Sequence, residues 1–263
     1  MGDDRLLSQS LAALCAAHFF AGQPEAGRPF GQESVERARR IGDDVLLAQS
    51  LLRYLLALDA IDPARSGPLY AEAIACTERS GDHFINARLH TNVGATALDW
   101  DLPAARAHLE AAAQAAQQIG YEDAMTPMAL GLVLRAESDL DGARSAFEAT
   151  LRIGRRNGSN WDMAFAVHGL ACLAGDTGDW DRAAALHGVA QAFQDRTGHP
   201  WQEGEVRHRR DSLDQARAHL GDEQLERAHA HGMALGLEKA LDLALPKSGS
   251  GLTATTGKPE DRH

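Results

Sequence analysis

The chain has 263 residues, with 26 Lys and Arg against 37 Asp and Glu, a formal charge of -11. That acidic balance favours solubility and argues against a phosphate backbone or an anionic membrane surface as a general partner. Three cysteines, Cys15, Cys76 and Cys172, lie far apart without a CxxC pair, which argues against a secreted disulfide framework or a cysteine-based zinc site and makes a reducing cytoplasm the expected compartment.

The first apolar run, LAALCAAHFFAG, follows the acidic MGDD instead of a basic leader region and reads as a first helix, not a signal peptide. No run reaches the length of a membrane span. Four twenty-residue segments then share a layout: DPARSGPLYAEAIACTERSG from Asp62, DLPAARAHLEAAAQAAQQIG from Asp101, DLDGARSAFEATLRIGRRNG from Asp139 and DWDRAAALHGVAQAFQDRTG from Asp179. Each opens on Asp and closes on Gly. Together with Gly42, which ends a weaker first copy, the closing glycines Gly81, Gly120, Gly158 and Gly198 recur in steps of 39, 39, 38 and 40 residues. Such self-similarity marks stacked supersecondary units.

Within the segments the fifth, ninth and twelfth positions are Ser66, Tyr70, Ala73; Ala105, Leu109, Ala112; Ala143, Phe147, Thr150; and Ala183, His187, Ala190. Steps of four and three set them on one helical face as small, large, small, which lets two helices approach while the bulky side chain fills the gap. Glycine after the last turn is the expected C-cap, and the opening Asp suits a helix start. Apolar stretches of similar length, such as DDVLLAQSLLRYLLALDAI and EDAMTPMALGLVLRAES, lie between the segments and also carry helical periodicity. Alternating β-branched runs are missing. The unit is therefore a pair of helices, with units over 3–42, 43–81, 82–120, 121–158 and 159–198.

Residues 199–245 read as an atypical cap. One helix carries Val206, Leu213, Ala216 and Leu220, a second carries Leu225, Ala228 and Met233, and Leu237, Ala240, Leu241 and Ala244 offer a closing apolar face. The composition of 246–263 shifts to Ser, Gly, Thr and charge and predicts disorder. Its SGSGLTATTGKPE fails as a phosphate-binding loop, since five residues separate Gly251 from Gly257 and Pro259 stands where a hydroxyl is needed.

The segments LHTNVGATALDWDLPAARAHLEAAAQAAQQIG and VHGLACLAGDTGDWDRAAALHGVAQAFQDRTG resemble the tetratricopeptide repeat. Asn92, Val93, Gly94, Ala105 and Leu109 follow its pattern in one copy, and Leu170, Ala171, Gly178, Asp179, Trp180, Ala183 and Ala190 in the other; Ala129, Leu130 and Gly131 belong to the same column. The first two copies depart, with Arg53 or Tyr54 where a small residue belongs, and the period exceeds the family's usual length by about a turn of helix. The longer unit and the end segment resemble the C-terminal repeats of actinobacterial-type regulators that join an ATPase to such repeats, often with a LuxR-type DNA-binding domain. The resemblance implies an all-α, right-handed α-solenoid with a C-terminal cap. It also implies a standalone or truncated sensor and docking array whose first helices line a concave groove. Carried over, the groove positions are Arg88, Thr91, Ala95 and Asp99; Met125, Met128, Leu132 and Arg135; and Phe165, His168, Cys172 and Asp176. A stripe of Met, Phe, His and Arg suits a protein or peptide partner, with a small-molecule effector in the same groove as the alternative.

No chemistry competes strongly. His229 with His231, and His208 beside Arg209 and Arg210, lack metal-ligand spacing. His168 and Cys172 share a helical face, but a nucleophile needs a base and an orienting group as well. The expectation is a binding protein, with no catalytic residues, no metal and no cofactor.

Overall fold

The computed structural model describes residues 2–98, 100–198, 201 and 203–245. Asp99 and the expected disordered tail, 246–263, lie outside them. Among the described residues the chain is all-helical, without strands: α1 (Gly2–Phe20), α2 (Pro24–Ile41), α3 (Asp44–Ile61), a 3-10 turn (Pro63–Arg65), α4 (Ser66–Ser80), α5 (His83–Ala97), α6 (Leu102–Gln118), α7 (Met125–Ala136), α8 (Leu140–Asn157), α9 (Asn160–Asp176), α10 (Trp180–Asp195), α11 (Glu203–Leu220), α12 (Asp222–Ala234) and α13 (Leu237–Ala244). Each expected interval thus carries two helices, and the cap carries three. No described helix is long and apolar enough to cross a membrane.

The periodic punctuation has a direct physical reading. Gly42, Gly81, Gly120, Gly158 and Gly198 all adopt φ between 63° and 74°, the left-handed backbone that ends a helix at little cost only for glycine. Asp101, Asp139 and Asp179 accept the backbone N–H three residues on, so the opening aspartates of α6, α8 and α10 are N-caps. Asp62 differs: it makes no such cap and leads into the 3-10 turn.

The chain divides into two compact units, with the boundary between Gly169 and Leu170 inside α9. In the first, consecutive helices pack on one another, and α1, α3, α5 and α7 also touch in series. The small, large, small triplets are all buried. Two of their large members, Leu109 and Phe147, sit in notches left by glycine. A Cβ on Gly94 would fall 2.6 Å from Leu109 Cγ, and Cβ atoms on Gly131 and Gly169 would each fall 2.6 Å from Phe147 Cε1. Tyr54, out of pattern in the sequence, finds its own notch, since a Cβ on Gly31 would lie 2.5 Å from its ring. Three buried serines tie the first helices: Ser34 Oγ donates to Ser8 O at 2.8 Å and lies 2.9 Å from the Ser50 hydroxyl. With both hydroxyl and carbonyl partners supplied, this polar knot is satisfied within the core.

The second unit uses closer contact. A Cβ on Gly188 would lie 2.1 Å from His229 O, and one on Gly232 would lie 1.9 Å from Ala185 O, so α10 and α12 meet backbone to backbone. Ala184, Ala216 and Leu225 form its core with Trp180, Leu213, Leu220 and Ala228 against them. Ala240, Leu241 and Ala244 are buried as the cap predicts, whereas Val206, Met233 and Leu237 are exposed. Those three sit on the wet side of their helices: periodicity marks a face to within a residue or so, and the neighbouring helices cover a narrower strip.

Candidate functional site

The expected groove residues separate into three classes. Thr91, Met128, Phe165, His168 and Cys172 are buried; Leu132 and Arg135 are half-buried; Arg88, Met125 and Asp176 are exposed. Asp99 lies outside the described residues. Met128, Phe165, His168 and Cys172 pack in the interior instead of lining a surface, because a stripe facing a concavity and a stripe facing the next helix have the same spacing.

Three of the expected residues, Arg88, Thr91 and Met125, do converge on one cleft of about 280 Å³ in the first unit. Tyr121, Glu122, Asp123, Trp161 and Asp162 complete its working surface. Its floor is a hydrogen-bond chain joining α5 to the start of α7. Asp123 accepts the Thr126 backbone N–H at 2.8 Å and the Thr126 hydroxyl at 2.9 Å, and the Thr126 and Thr91 hydroxyls lie 2.7 Å apart. That chain fixes the entry of α7 and so the position of Met125. Arg88 lies over the Phe84 ring at 6.0 Å, and Phe84 meets Tyr121 edge-on with centroids 4.9 Å apart. Trp161 packs on Phe165 at 4.2 Å, so Phe165 holds an aromatic lip in place from below. Burial, together with the charge of Asp123, holds the Asp162 carboxyl above its ordinary range. Arg156 pairs with Glu122 at the rim. Tyr121 and Trp161 were not expected from the stripe: both stand at helix starts or in turns, where repeat register carries no signal.

The second unit has its own concavity of about 410 Å³, lined by Trp201, Val206, Arg209, Arg210, Leu213, Asp214 and Arg217. Its cations are engaged. Arg217 pairs with Asp214 and Asp222, Arg210 with Asp211, and Arg209 lies over Trp201 at 6.0 Å with His229 Nε2 at 3.1 Å. Burial, then the neighbouring Arg209, lowers the proton affinity of His229. Elsewhere in that unit the Cys172 thiol and a nitrogen of His187 lie within 4.8 Å, and His187 Nε2 is 2.9 Å from Ser212 Oγ. Thiolate and imidazole are soft-metal ligands. The fifteen-residue spacing of Cys172 and His187 gave no hint of the pair.

No protein-family model matches this chain, and no curated protein sequence does. What the cleft can do therefore rests on its own geometry. It presents an arginine, two aromatic rings and a thioether beside three carboxylates.

Proposed function

We propose that this chain is a non-enzymatic recognition module: a right-handed solenoid of tetratricopeptide-like helical pairs that captures a protein or peptide in the cleft between α5, α7 and α9. As such it serves as the docking or sensing part of a bacterial cytoplasmic signalling or transcriptional regulator. The observation that carries the reading is the convergence of Arg88, Thr91 and Met125 with Tyr121 and Trp161 on one cleft. Arg, Met and aromatic side chains are the types enriched where protein surfaces anchor one another.

Size favours a side-chain anchor over a whole small molecule. Sites for drug-sized ligands span roughly 300–1,000 Å³, and this cleft of about 280 Å³ falls just short. The mixture of the Arg88 guanidinium with Glu122, Asp123 and Asp162 suits a segment carrying both signs of charge. The test is a peptide-display selection on the folded protein, followed by fluorescence polarisation with the enriched peptide. Arg88→Glu and Met125→Ala should each weaken its binding at least tenfold with melting unchanged. Selection that enriches no sequence, or an enriched peptide indifferent to both substitutions, would sink the docking reading.

A further inference from the structure

The second unit holds a pair of donor side chains that packing does not call for. In two of the repeated helix pairs a large side chain of the second helix enters a glycine notch on the first: Leu109 over Gly94, fifteen residues earlier, and Phe147 over Gly131, sixteen earlier. His187 holds the same place in α10, and fifteen residues before it Cys172 stands on α9. Glycine under leucine or phenylalanine shows what this contact needs on size alone, and neither brings a polar side-chain atom inside. The copy in the second unit instead buries a thiol and an imidazole, 3% and 0% exposed, with the sulfur and a ring nitrogen within 4.8 Å. An imidazole in a dry core is costly unless its polar atoms are bonded. Ser212 of α11 meets Nε2 at 2.9 Å, and a hydroxyl there fixes the ring as the outer partner of a metal-ligating histidine does.

Reach and charge say what such a pair would hold. Zinc binds thiolate sulfur at about 2.3 Å and imidazole nitrogen at about 2.0 Å, and other late first-row ions are similar, so one ion bridges a sulfur and a nitrogen up to about 4.3 Å apart. With the pair already within 4.8 Å, at most a small side-chain adjustment closes the site. Among the described residues no carboxylate joins the cluster, so the thiolate supplies the negative charge. A monovalent ion on one thiolate and a neutral imidazole makes a group of zero net charge, which a dry interior accepts. A divalent ion there would leave one charge buried without a counter-ion. Thiolate and imidazole both suit copper, thiolate selects its monovalent state, and that ion accepts as few as two ligands.

We propose that Cys172 and His187 form a buried site for Cu(I), with Ser212 orienting the imidazole. On binding, the thiol S–H breaks, a sulfur–copper bond forms, and the proton leaves to solvent; no electron is transferred. The site is separate from the docking cleft and does not rest on that reading. Anaerobic titration of the full chain with Cu(I) held by the chromophoric chelator bicinchoninate, brought to equilibrium, reads transfer of the ion as loss of the probe's colour. One Cu(I) should transfer per chain, with release of one proton. Cys172→Ala, and His187→Leu, which copies the residue at Leu109, should each lower the affinity at least tenfold with helicity unchanged. A chain carrying Cys15→Ala and Cys76→Ala should bind as tightly as the parent, which separates this site from the other buried thiols. Zn²⁺ alone, in competition with a zinc-binding dye, should bind at least tenfold more weakly than Cu(I). Should a variant fail to fold, X-ray absorption of the Cu(I)-loaded parent decides, since it should show one sulfur together with nitrogen around the ion. No transfer, affinity undiminished in folded Cys172→Ala or His187→Leu, loss of binding with Cys15 and Cys76, zinc bound as tightly, or a sulfur-only copper environment would overturn the assignment.

Discussion

Helix contacts in the two units use the same residue in two opposite ways, the side-chain notch around Leu109 and Phe147 in the first and the bare backbone contact of α10 with α12 in the second. In the first, Gly94, Gly131 and Gly169 make room for a large side chain, Leu109 or Phe147, arriving from the neighbouring helix. In the second, Gly188 and Gly232 make room for backbone itself, with no side chain between α10 and α12. A side chain in a notch can turn or be trimmed. A carbonyl oxygen held in a helix cannot, so the first arrangement tolerates error and the second does not.

The difference can be broken experimentally, with the largest effect at the Phe147 ring. Phe147→Ala empties the space between Gly131 and Gly169 and should destabilise by about 4 kcal/mol in denaturant titration, the range of buried phenylalanine truncations. Gly232→Ala should cost about 3 kcal/mol, since its Cβ overlaps Ala185 O and the intrinsic helical gain of about 1 kcal/mol is too small to offset that. Trimming Val189 to alanine alongside should simply add its own loss. A Cβ at Gly94→Ala meets the Leu109 side chain first, at 2.6 Å, and the Ala105 carbonyl oxygen at 3.0 Å, so its net cost should be about 1 kcal/mol, and combined with Leu109→Ala the loss should fall short of additivity by at least about 0.5 kcal/mol. If the Gly94 and Gly232 cycles came out alike, the distinction between notch and backbone contact would be wrong.

Smaller effects sharpen the picture. Ser138, at φ 65°, holds the left-handed position that Gly178 fills at the start of the next segment. Relief of that strain outweighs the added freedom of the unfolded chain, and Ser138→Gly should stabilise by about 0.5 kcal/mol in the same titration. The smallest effect is on acidity. His90 in the first unit, with His108 Nδ1 at 2.9 Å from its own Nδ1, has its pKa lowered by burial and then by that neighbour from 6.5 to about 4. The unfolded chain therefore takes up the proton first: the contribution is complete above about pH 6.5 and is lost as pH falls towards 4. His229 in the second unit shifts in the same direction. Melting curves from pH 7 to 4 should show stability declining, and His90→Gln should flatten that decline without abolishing it. Both imidazoles are half-exposed, so solvent keeps the effect modest.

How far the sequence was legible depends on whether the signal was local. The glycine stops, the aspartate caps of α6, α8 and α10, and the buried triplets around Leu109 and Phe147 were readable because each depends on a few adjacent residues. The candidate site was readable in part. Arg88, Thr91 and Met125 meet in a cleft, yet Met128, Phe165, His168 and Cys172 went to the interior. Tyr121 and Trp161 joined the cleft from positions outside any periodic pattern. The Tyr70–Asp59 hydrogen bond between α4 and α3, and the touch of Gly188 on α12, carry no local trace.

Sequence by itself determined that this protein is built of helices, where the glycine stops fall and where α6, α8 and α10 begin, since capping, left-handed glycine and amphipathic spacing act over one turn of chain. Only the tertiary structure decided which faces are covered, which glycines receive a ring and which a backbone, and where space is left open. Those outcomes depend on the distance between helices far apart in the chain, and that distance is set by the volumes of all the side chains that fill it.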